Sequence, residues 1–480
     1  MRPKFARCTL GAENRSDILR RRFQAEAGVA LQSQALTIGD LIDQHPLSRF
    51  QIWTIALCGI VLTLDGFDSL TVNFLATSIA GSTGIPVHSF GPIFSASLFG
   101  LMIAALTTGP IADRLGRKWP VIFATLSFAV FSLLTAHAST YRELLILRFL
   151  TGLGLGGAMP NVVALASEYS PKRLLPVVVT ILFTGMPLGG AICGLLSAVM
   201  IRTWGWHWVF YIGGIIPLVI AILLISMLPE SVQFLAVRGK DPAKIRKILS
   251  KVAPELASAR AEIVVPQDEQ SRKGVPVKYL FTEGRALGTI LLWFPYFINL
   301  LLIYFISGWL PALLNEAGMT ASAAVIATAF FNLGGVIACL AQGFLMNRFG
   351  AARMLIFEYA LAAAFVGALG VLPRHVMLVA FLAFASGLVV VGAQAGLNAL
   401  AARFYPTSVR STGVGWALGV GRLGSVVGPL VGGMLLGIGW SSRGLLLAAA
   451  GFAVSAWLAI VLSNTVREHV TPYSRSLDAG

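Results

Sequence analysis

The sequence predicts an all-α membrane protein with twelve transmembrane helices. Its 480 residues are 56% hydrophobic and only 12% charged, which leaves too little polar surface for a water-soluble globule of this length. Apolar stretches of about 20 residues or more, long enough to cross a hydrocarbon core of about 30 Å, recur between short polar breaks. Spans 1 to 12 are predicted at residues 51–79, 92–112, 119–138, 143–168, 175–201, 208–228, 286–314, 321–346, 354–372, 376–402, 411–438 and 444–464.

The positive charges predict how these spans are oriented. If both tails and the even-numbered connections share one side, that side carries 30 of the 36 Lys and Arg residues. The remaining six are Arg142, Arg202, Arg374 and Arg443 on the opposite side and Arg148 and Arg422 inside spans. Because basic loops stay in the cytoplasm, both termini are expected there. The net charge of +15 therefore reflects topology, and we expect no nucleic-acid partner.

The composition along the chain divides it into five segments. We expect a disordered cytoplasmic tail at 1–36, which lacks the apolar core of a cleavable signal peptide, and a six-span half at 37–228. A charged cytoplasmic loop at 229–285 contains the helix-forming run GKDPAKIRKILSKV. A second six-span half at 286–465 and a short cytoplasmic tail at 466–480 complete the chain.

An internal repeat relates the two halves. The stretch GPIADRLGRK at 109–118, after span 2, has a degraded counterpart GFLMNRFGAA at 343–352, after span 8, at an offset of 234 residues. EYSPKR, at the end of span 4, is echoed by RFYPTS at the end of span 10. Two related six-span halves predict a transporter that rocks around a site at their interface.

Two carboxylates lie inside span 1. Asp65 and Asp68 are three residues apart on one helix, about 21 Å from its cytoplasmic end, and Arg148 in span 4 reaches about the same depth. Charges this deep are costly and usually functional. An arginine between two aspartates would stabilise one ionised carboxylate, while their mutual repulsion favours proton uptake. We therefore predict that these three residues bind the driving proton; the alternative is a static ion pair that holds span 1 against span 4.

A second cation, Arg422, lies near the middle of span 11, where no acidic residue of the same span can neutralise it. A guanidinium can hold a carboxylate through two parallel hydrogen bonds, so we predict that it binds a substrate carboxylate. The alternative is a packing contact with a polar group of span 7 or span 10.

Aromatic and amide side chains of spans 4, 7 and 10 are candidates to complete the pocket, because aromatic rings can stack on a substrate ring and amides can bind a hydroxyl. For each of them ordinary packing is the alternative. These candidates are Asn161, Tyr296, Asn299, Tyr304, Trp309, Gln394 and Asn398.

Several motifs resemble those of a known transport family. GPIADRLGRK and RFLTGLGLGG (148–157) resemble the motifs of the major facilitator superfamily that follow span 2 and open span 4. DGFD in span 1, GWHWVFYIGGIIPL into span 6, LPES after it and YPTSVRSTGVGWALGVGRLGSVVGP through span 11 resemble, more narrowly, the aromatic acid:proton symporters. This resemblance runs from about Thr37 to span 12. It implies the major facilitator fold, coupling through the aspartates of DGFD and proton-driven uptake of a hydroxybenzoate-like anion such as 4-hydroxybenzoate across a bacterial inner membrane, by a monomer.

The resemblance also implies that the loop after span 2 takes part in gating. Gly116 allows a tight turn, and Asp113 can pair with Arg114, Arg117 or a neighbouring helix terminus. Contacts of this kind would bias one conformation against the other. The alternative is a basic loop that only sets topology. The remaining members of the predicted gate are Gly109, Lys118 and Glu168. In the repeat, Asn347 and Ala351 replace the charged residues, so gating by that copy is not expected.

Two rival functions stay open. GMPLGG at 185–190 approaches the pattern of major facilitator efflux antiporters but is one position out of step. A membrane-embedded enzyme would need clustered catalytic groups, whereas the six histidines lie near span ends, loops or tails without metal-ligand spacing. The glycine-rich stretches lie inside apolar spans and lack a Walker lysine, so no nucleotide site is expected. The four cysteines suggest neither a disulfide framework nor a metal site, and we expect no cofactor.

Overall fold

The structure is a computed structural model, which describes residues 42–43, 45–238, 242–252, 277–282, 285–371, 375–406 and 409–470. All twelve predicted spans are confirmed as helices. Spans 1 to 12 are Arg49–Thr83, Val87–Leu115, Lys118–Thr135, Tyr141–Glu168, Leu175–Thr203, His207–Met227, Ala286–Glu316, Ala321–Phe349, Ala351–Val371, Val376–Phe404, Thr412–Gly437 and Ser442–Asn464. The described residues contain no strand.

The segments between and around the spans are only partly described. The predicted central loop contributes two short helices, Val232–Val237 and Pro242–Val252, and a 3₁₀ turn at Val277–Leu280. The predicted tail at 1–36 lies outside the described residues, as does Arg374. The helix that contains span 12 continues to Val470.

Polar side chains mark where several spans begin. Ser48 accepts a hydrogen bond from the backbone N–H of Gln51, whose side chain accepts one from the backbone of Ser48. Thr140 and Glu143 form the same reciprocal capping box before span 4. Such caps satisfy backbone N–H groups that have no partner within the helix. Span 4 is interrupted after Leu155 and resumes at Ala158.

Close helix pairs repeat in the two halves. Span 5 crosses span 1 at Gly189, where an added methyl group would collide with the carbonyl oxygen of Thr63. Span 11 crosses span 7 in the same way at Gly424, against the carbonyl oxygen of Phe297. Spans 2 and 4, and spans 8 and 10, also make backbone contacts at glycines. Small residues allow this approach without a hydrophobic driving force between helices, and the matching pairs show the pseudo-symmetry of the halves.

The two halves contact each other mainly away from the face that carries the start of span 1 and the end of span 2, which we call the basic face. The hydroxyl of Ser95 in span 2 donates to the carbonyl of Val426 in span 11 at 2.7 Å. The hydroxyl of Ser322, in the first turn of span 8, donates to Ala198 near the end of span 5 at 3.0 Å. Nearer the basic face, Gly419 of span 11 meets open space. These contacts between the halves therefore lie toward the far end of their interface.

Candidate functional site

The two deepest opposite charges of the first half form an ion pair. Nη1 of Arg148 lies 3.4 Å from Oδ2 of Asp68, and both side chains are nearly inaccessible, at 2% and 1% exposure. Nη2 of Arg148 also donates to Oγ1 of Thr135 at 2.7 Å, and its guanidinium lies 5.3 Å from the ring centroid of Phe210. Spans 1, 3, 4 and 6 thus meet at one buried cation, whereas the matched depths of Asp68 and Arg148 had predicted only that spans 1 and 4 meet there.

Asp65 occupies a different environment. It accepts a hydrogen bond from the hydroxyl of Ser69 at 3.2 Å and lines a cavity of about 30 Å³ together with Arg422 of span 11. The expected arrangement, with Arg148 between both aspartates, is therefore not what the structure shows. The side chains of Asp65 and Asp68 are directed to different neighbours, and each faces a different arginine.

Arg422 is half-buried at the interface of the halves. Its Nη2 lies 3.8 Å from the sulfur of Met159 in span 4, and Tyr304 of span 7 and Asp65 of span 1 lie within electrostatic range. Among the described residues no carboxylate approaches its guanidinium within 4.0 Å. The cation faces a carboxylate across a cavity without forming an ion pair, and its described polar neighbours are Met159 and Tyr304, so the guanidinium can still receive a ligand carboxylate.

Four of the predicted amide and aromatic residues form one hydrogen-bonded group between spans 7 and 10, which we call the amide cluster. The hydroxyl of Tyr296 donates to Oδ1 of Asn398 at 2.9 Å, and Nδ2 of Asn299 donates to Oε1 of Gln394 at 3.0 Å. Gln394 in turn donates to Asn398 at 3.4 Å. Oδ1 of Asn299 is buried without a hydrogen-bond partner. The cluster therefore retains one unused acceptor.

Of the three remaining candidates Tyr304 lies near Arg422, and Asn161 and Trp309 are engaged elsewhere. Nδ2 of Asn161 donates to the carbonyl of Gly157, one turn earlier in span 4. The indole of Trp309 is fully buried, donates to the carbonyl of Pro429 at 3.0 Å and packs edge-on against Phe94 at 5.3 Å between ring centroids. In this conformation Trp309 packs at the far end of the interface, and the side chain of Asn161 is hydrogen-bonded to the backbone of its own helix.

The predicted gating loop is held by a carboxylate that sequence reasoning missed. Oε1 of Glu230 accepts hydrogen bonds from the backbone N–H groups of Arg117, Lys118 and Ser231, at 2.7, 3.1 and 2.9 Å. Gly116 has φ +92°, and an added methyl group there would collide with the Glu230 carboxylate. Glu230 lies in the motif LPES, which marked the position without revealing this role.

Arg117 and Glu168 form the ion pair of this loop, with Nε of Arg117 3.1 Å from Oε1 of Glu168. Ser231 donates its hydroxyl to the other oxygen of Glu168 at 2.5 Å. Asp113 is exposed, and its backbone carbonyl accepts a hydrogen bond from Arg238 at 3.0 Å. These contacts join the loop to span 4 and to the start of the central loop, and none of them involves the second half.

The remaining gate candidates have fewer constraints. Arg114 is exposed, and a methyl group added at Gly109 would meet open space. Lys118 donates its ammonium group to the carbonyl of Ile225 at 2.7 Å, which ties the start of span 3 to the end of span 6.

Comparison with known proteins agrees with this architecture. The Major Facilitator Superfamily profile matches residues 57–374 and 292–477. The chain is 40% identical to the 4-hydroxybenzoate transporter PcaK of Pseudomonas putida over 90% of its length and 97% of that protein. It is 39% identical to a gallate transporter of Pseudomonas putida, over 91% and 97% of the two chains. It is 34% identical to a benzoate transport protein of Acinetobacter baylyi, over 85% and 88%.

A solved structure shows a similar fold. The xylose transporter XylE of E. coli, in a partially occluded inward-open conformation, superimposes with a TM-score of 0.66 over 86% of this chain and 97% of its own, at 17% sequence identity. At this identity the similarity concerns the fold alone. The order of the helices and the position of the interface between the halves are thus those of a known architecture.

Proposed function

Because the chain belongs to the Major Facilitator Superfamily and is a transporter rather than an enzyme, we propose that it imports an aromatic carboxylate, such as 4-hydroxybenzoate or a related hydroxylated benzoate, together with protons. Transport occurs by alternating access in a monomer. The basic face is cytoplasmic, the membrane is the bacterial inner membrane, and the described conformation is open to the cytoplasm. The named relatives carry anions of this class.

The observation that carries this proposal is the unpaired guanidinium of Arg422 at the interface of the halves. A substrate carboxylate can take two charge-assisted hydrogen bonds from it, and Tyr304 offers an aromatic surface beside it. The free acceptor of Asn299 in the amide cluster suits a ring hydroxyl. The cavity of about 30 Å³ has room for water but not for a benzoate, so binding requires Arg422 to leave Met159 and the halves to move.

Asp65 provides a physical reason for coupling. In the described state the positive charge of Arg422 and the carboxyl group of Asp65 face the same small cavity. A substrate anion bound to Arg422 offsets that positive charge, and a proton on Asp65 then removes the repulsion between two carboxylates. Anion and proton binding therefore favour each other, and such a coupling is reciprocal by linkage.

Asp68 and Arg148 form the second part of the proposed proton machinery. Protonation of Asp68 would cancel one charge of the pair and leave Arg148 held by Thr135 and the Phe210 ring. The contacts of span 1 with spans 3, 4 and 6 would then change together. This gives the helices of the first half a proton-dependent step in the transport cycle.

The gate follows from the loop between spans 2 and 3. In the described conformation the ion pair of Arg117 with Glu168 holds this loop to span 4, and Glu230 holds it to the start of the central loop. The exposed Asp113 and Arg114 are free to contact the second half when the cytoplasmic side closes. Exchange between these two sets of contacts would bias the equilibrium between inward-open and outward-open states.

The test is uptake of radiolabelled 4-hydroxybenzoate into proteoliposomes, with and without an inwardly directed proton gradient. We expect accumulation only with the gradient, competition by hydroxylated benzoates and weak competition by uncharged sugars. Net export driven by the same gradient would instead support the efflux alternative. Failure to move any aromatic carboxylate, while other organic compounds are transported, would overturn the proposed substrate class.

A further inference from the structure

Span 9 contains a buried carboxyl group that belongs neither to the charge pairs of the first half nor to the amide cluster. Glu358 is 3% exposed and lies seven residues, or about 10 Å, from the start of its helix. An acidic residue inside an apolar span is the same signal that identified Asp65 and Asp68, and a charge at this depth is costly. Its surroundings therefore decide whether the carboxyl group is ionised or neutral.

The amide of Gln342 in span 8, which is itself 2% exposed, lies beside Glu358. Both side chains face Gly392 of span 10: a methyl group added there would lie 3.1 Å from Oε1 of Glu358 and 3.3 Å from Oε1 of Gln342. Oε2 of Glu358 and Nε2 of Gln342 are buried without hydrogen-bond partners. Glycine thus leaves a small polar space beside a carboxyl group that is not fully satisfied.

No cation neutralises Glu358 within the part of the chain that the structure describes. The basic residues of the spans packed around it are exposed or lie at the far end, and none forms an ion pair with it: Arg348 in span 8, Arg353 in span 9, Arg403 in span 10 and Arg443 in span 12. Span 12 meets span 9 through apolar residues such as Leu446 and Ala450. The nearby titratable side chains are Tyr359 and, beyond it, Tyr296. A buried carboxyl group in apolar surroundings with no cation is stable only as the neutral acid.

Two tyrosines, Tyr359 and Tyr296, lie near this group. Tyr359, next to Glu358 in span 9, donates to the carbonyl of Pro295 in span 7 at 3.5 Å. The following residue, Tyr296, donates to Asn398 of the amide cluster. Neither tyrosine hydroxyl hydrogen-bonds to Glu358 in the described conformation. Because a hydroxyl can both donate and accept a hydrogen bond, the two tyrosines could carry a proton between Glu358 and the amide cluster once side-chain rotation brings the hydroxyls into contact.

We propose that Glu358 is a second proton-binding site, located in the C-terminal half, which holds a proton in the inward-open state and exchanges it through the tyrosines during the cycle. Its role in coupling rests on the proposed function: the transporter then moves one proton more per anion than the aspartates of span 1 carry alone. Import of a monovalent anion with two protons carries net positive charge, so the membrane potential contributes to uptake.

The first experiment detects the proton itself. Infrared difference spectra of the reconstituted full chain, titrated between about pH 5 and pH 9, should show the C=O band of a buried carboxylic acid that disappears with rising pH. The band should be absent in Glu358→Gln, should move in Glu358→Asp and should persist in Glu316→Gln, a matched change at an exposed carboxylate. Identical spectra for the native chain and Glu358→Gln, or a band that does not titrate, would overturn the proposal.

The second experiment measures coupling. The 4-hydroxybenzoate gradient at which net flux vanishes is recorded in proteoliposomes under imposed pH gradients and potassium diffusion potentials. Glu358→Gln should transport with one proton fewer per anion and lose the dependence on potential, whereas Glu316→Gln should match the native chain. An unchanged stoichiometry in Glu358→Gln would reject the coupling role. If the native chain does not transport aromatic acids, the proposed function fails, and the infrared titration still decides whether Glu358 binds a proton.

Discussion

Replacement of Asp68 by Asn is the most direct test of the charge pair in span 1. Asn has nearly the same volume and can still accept a hydrogen bond from Arg148, but it cannot carry a proton. One coupled proton transfers about 1.4 kcal/mol per pH unit to the substrate gradient, which corresponds to about tenfold accumulation. Asp68→Asn should lower the accumulation ratio about tenfold per unit of the pH gradient, while exchange of labelled for unlabelled substrate across the membrane, which needs no net proton movement, continues.

The effect on folding can be separated from the effect on coupling. Asp68→Ala leaves Arg148 with only Thr135 and the Phe210 ring, and removal of one partner of a buried pair costs about 3–5 kcal/mol. Asp68→Leu combined with Arg148→Met removes both charges and should recover most of that stability without restoring accumulation. Thermal unfolding in detergent and proteoliposome uptake provide the two readings.

A matched control comes from the exposed carboxylate Asp113, whose replacement by Asn leaves the buried pair intact. Asp113→Asn should accumulate substrate in response to the gradient even if its rate changes. If Asp68→Asn accumulates 4-hydroxybenzoate as far as the native chain at the same pH gradient, Asp68 does not carry the proton, and the pair has the structural role that the sequence left open.

Three further predictions concern the substrate cation and the gate. Arg422→Lys should raise KM about tenfold or more, because the ammonium cannot form the two parallel charge-assisted bonds of a guanidinium; an unchanged KM in exchange assays would contradict carboxylate binding there. Gly116→Ala should impair folding and transport more than Gly350→Ala: both residues have positive φ (+92° and +86°), but only the methyl group at Gly116 meets a carboxylate, that of Glu230. Equal effects of the two substitutions would contradict a role for the contact with Glu230. Glu230→Ala should lower the stability by about 3 kcal/mol, since it removes the acceptor of three backbone N–H groups, and a thermal unfolding curve like that of the native chain would contradict this role.

The spans and the repeat were predictable because they depend on local quantities. The thickness of the hydrocarbon core sets the length of an apolar stretch, and the cost of a buried charge makes Asp65, Asp68 and Arg148 conspicuous wherever they occur. Depth along a helix follows from residue count, so the matching depths of Asp68 and Arg148 could be predicted from numbering alone, whereas their contact could not. Tyr296, Asn299 and Gln394 were predicted only as separate candidates and not as members of one hydrogen-bonded group.

What the sequence could not decide is which residues meet across helices. Residue count gives the depth of Asp65 but not the direction of its side chain, and helix packing turns it toward Arg422 of the other half. The role of Glu230 depends on the end of span 6 lying beside the loop after span 2. Trp309 seals the far end because spans 2, 7 and 11 converge there.

The sequence by itself thus determined that the chain crosses a membrane twelve times as two related halves with buried charges. The length of an apolar stretch and the cost of a charge within it can both be read from the order of residues along the chain. The tertiary structure decided that Asp68 meets Arg148, that Asp65 faces an unpaired Arg422 and that Glu358 lies without a cation. These arrangements depend on the rotation of each helix about its axis and on the choice of its neighbours. The rotation of a helix and the choice of its neighbours are both set by close packing between helix faces that carry glycines, and these faces come from parts of the chain that are far apart in sequence.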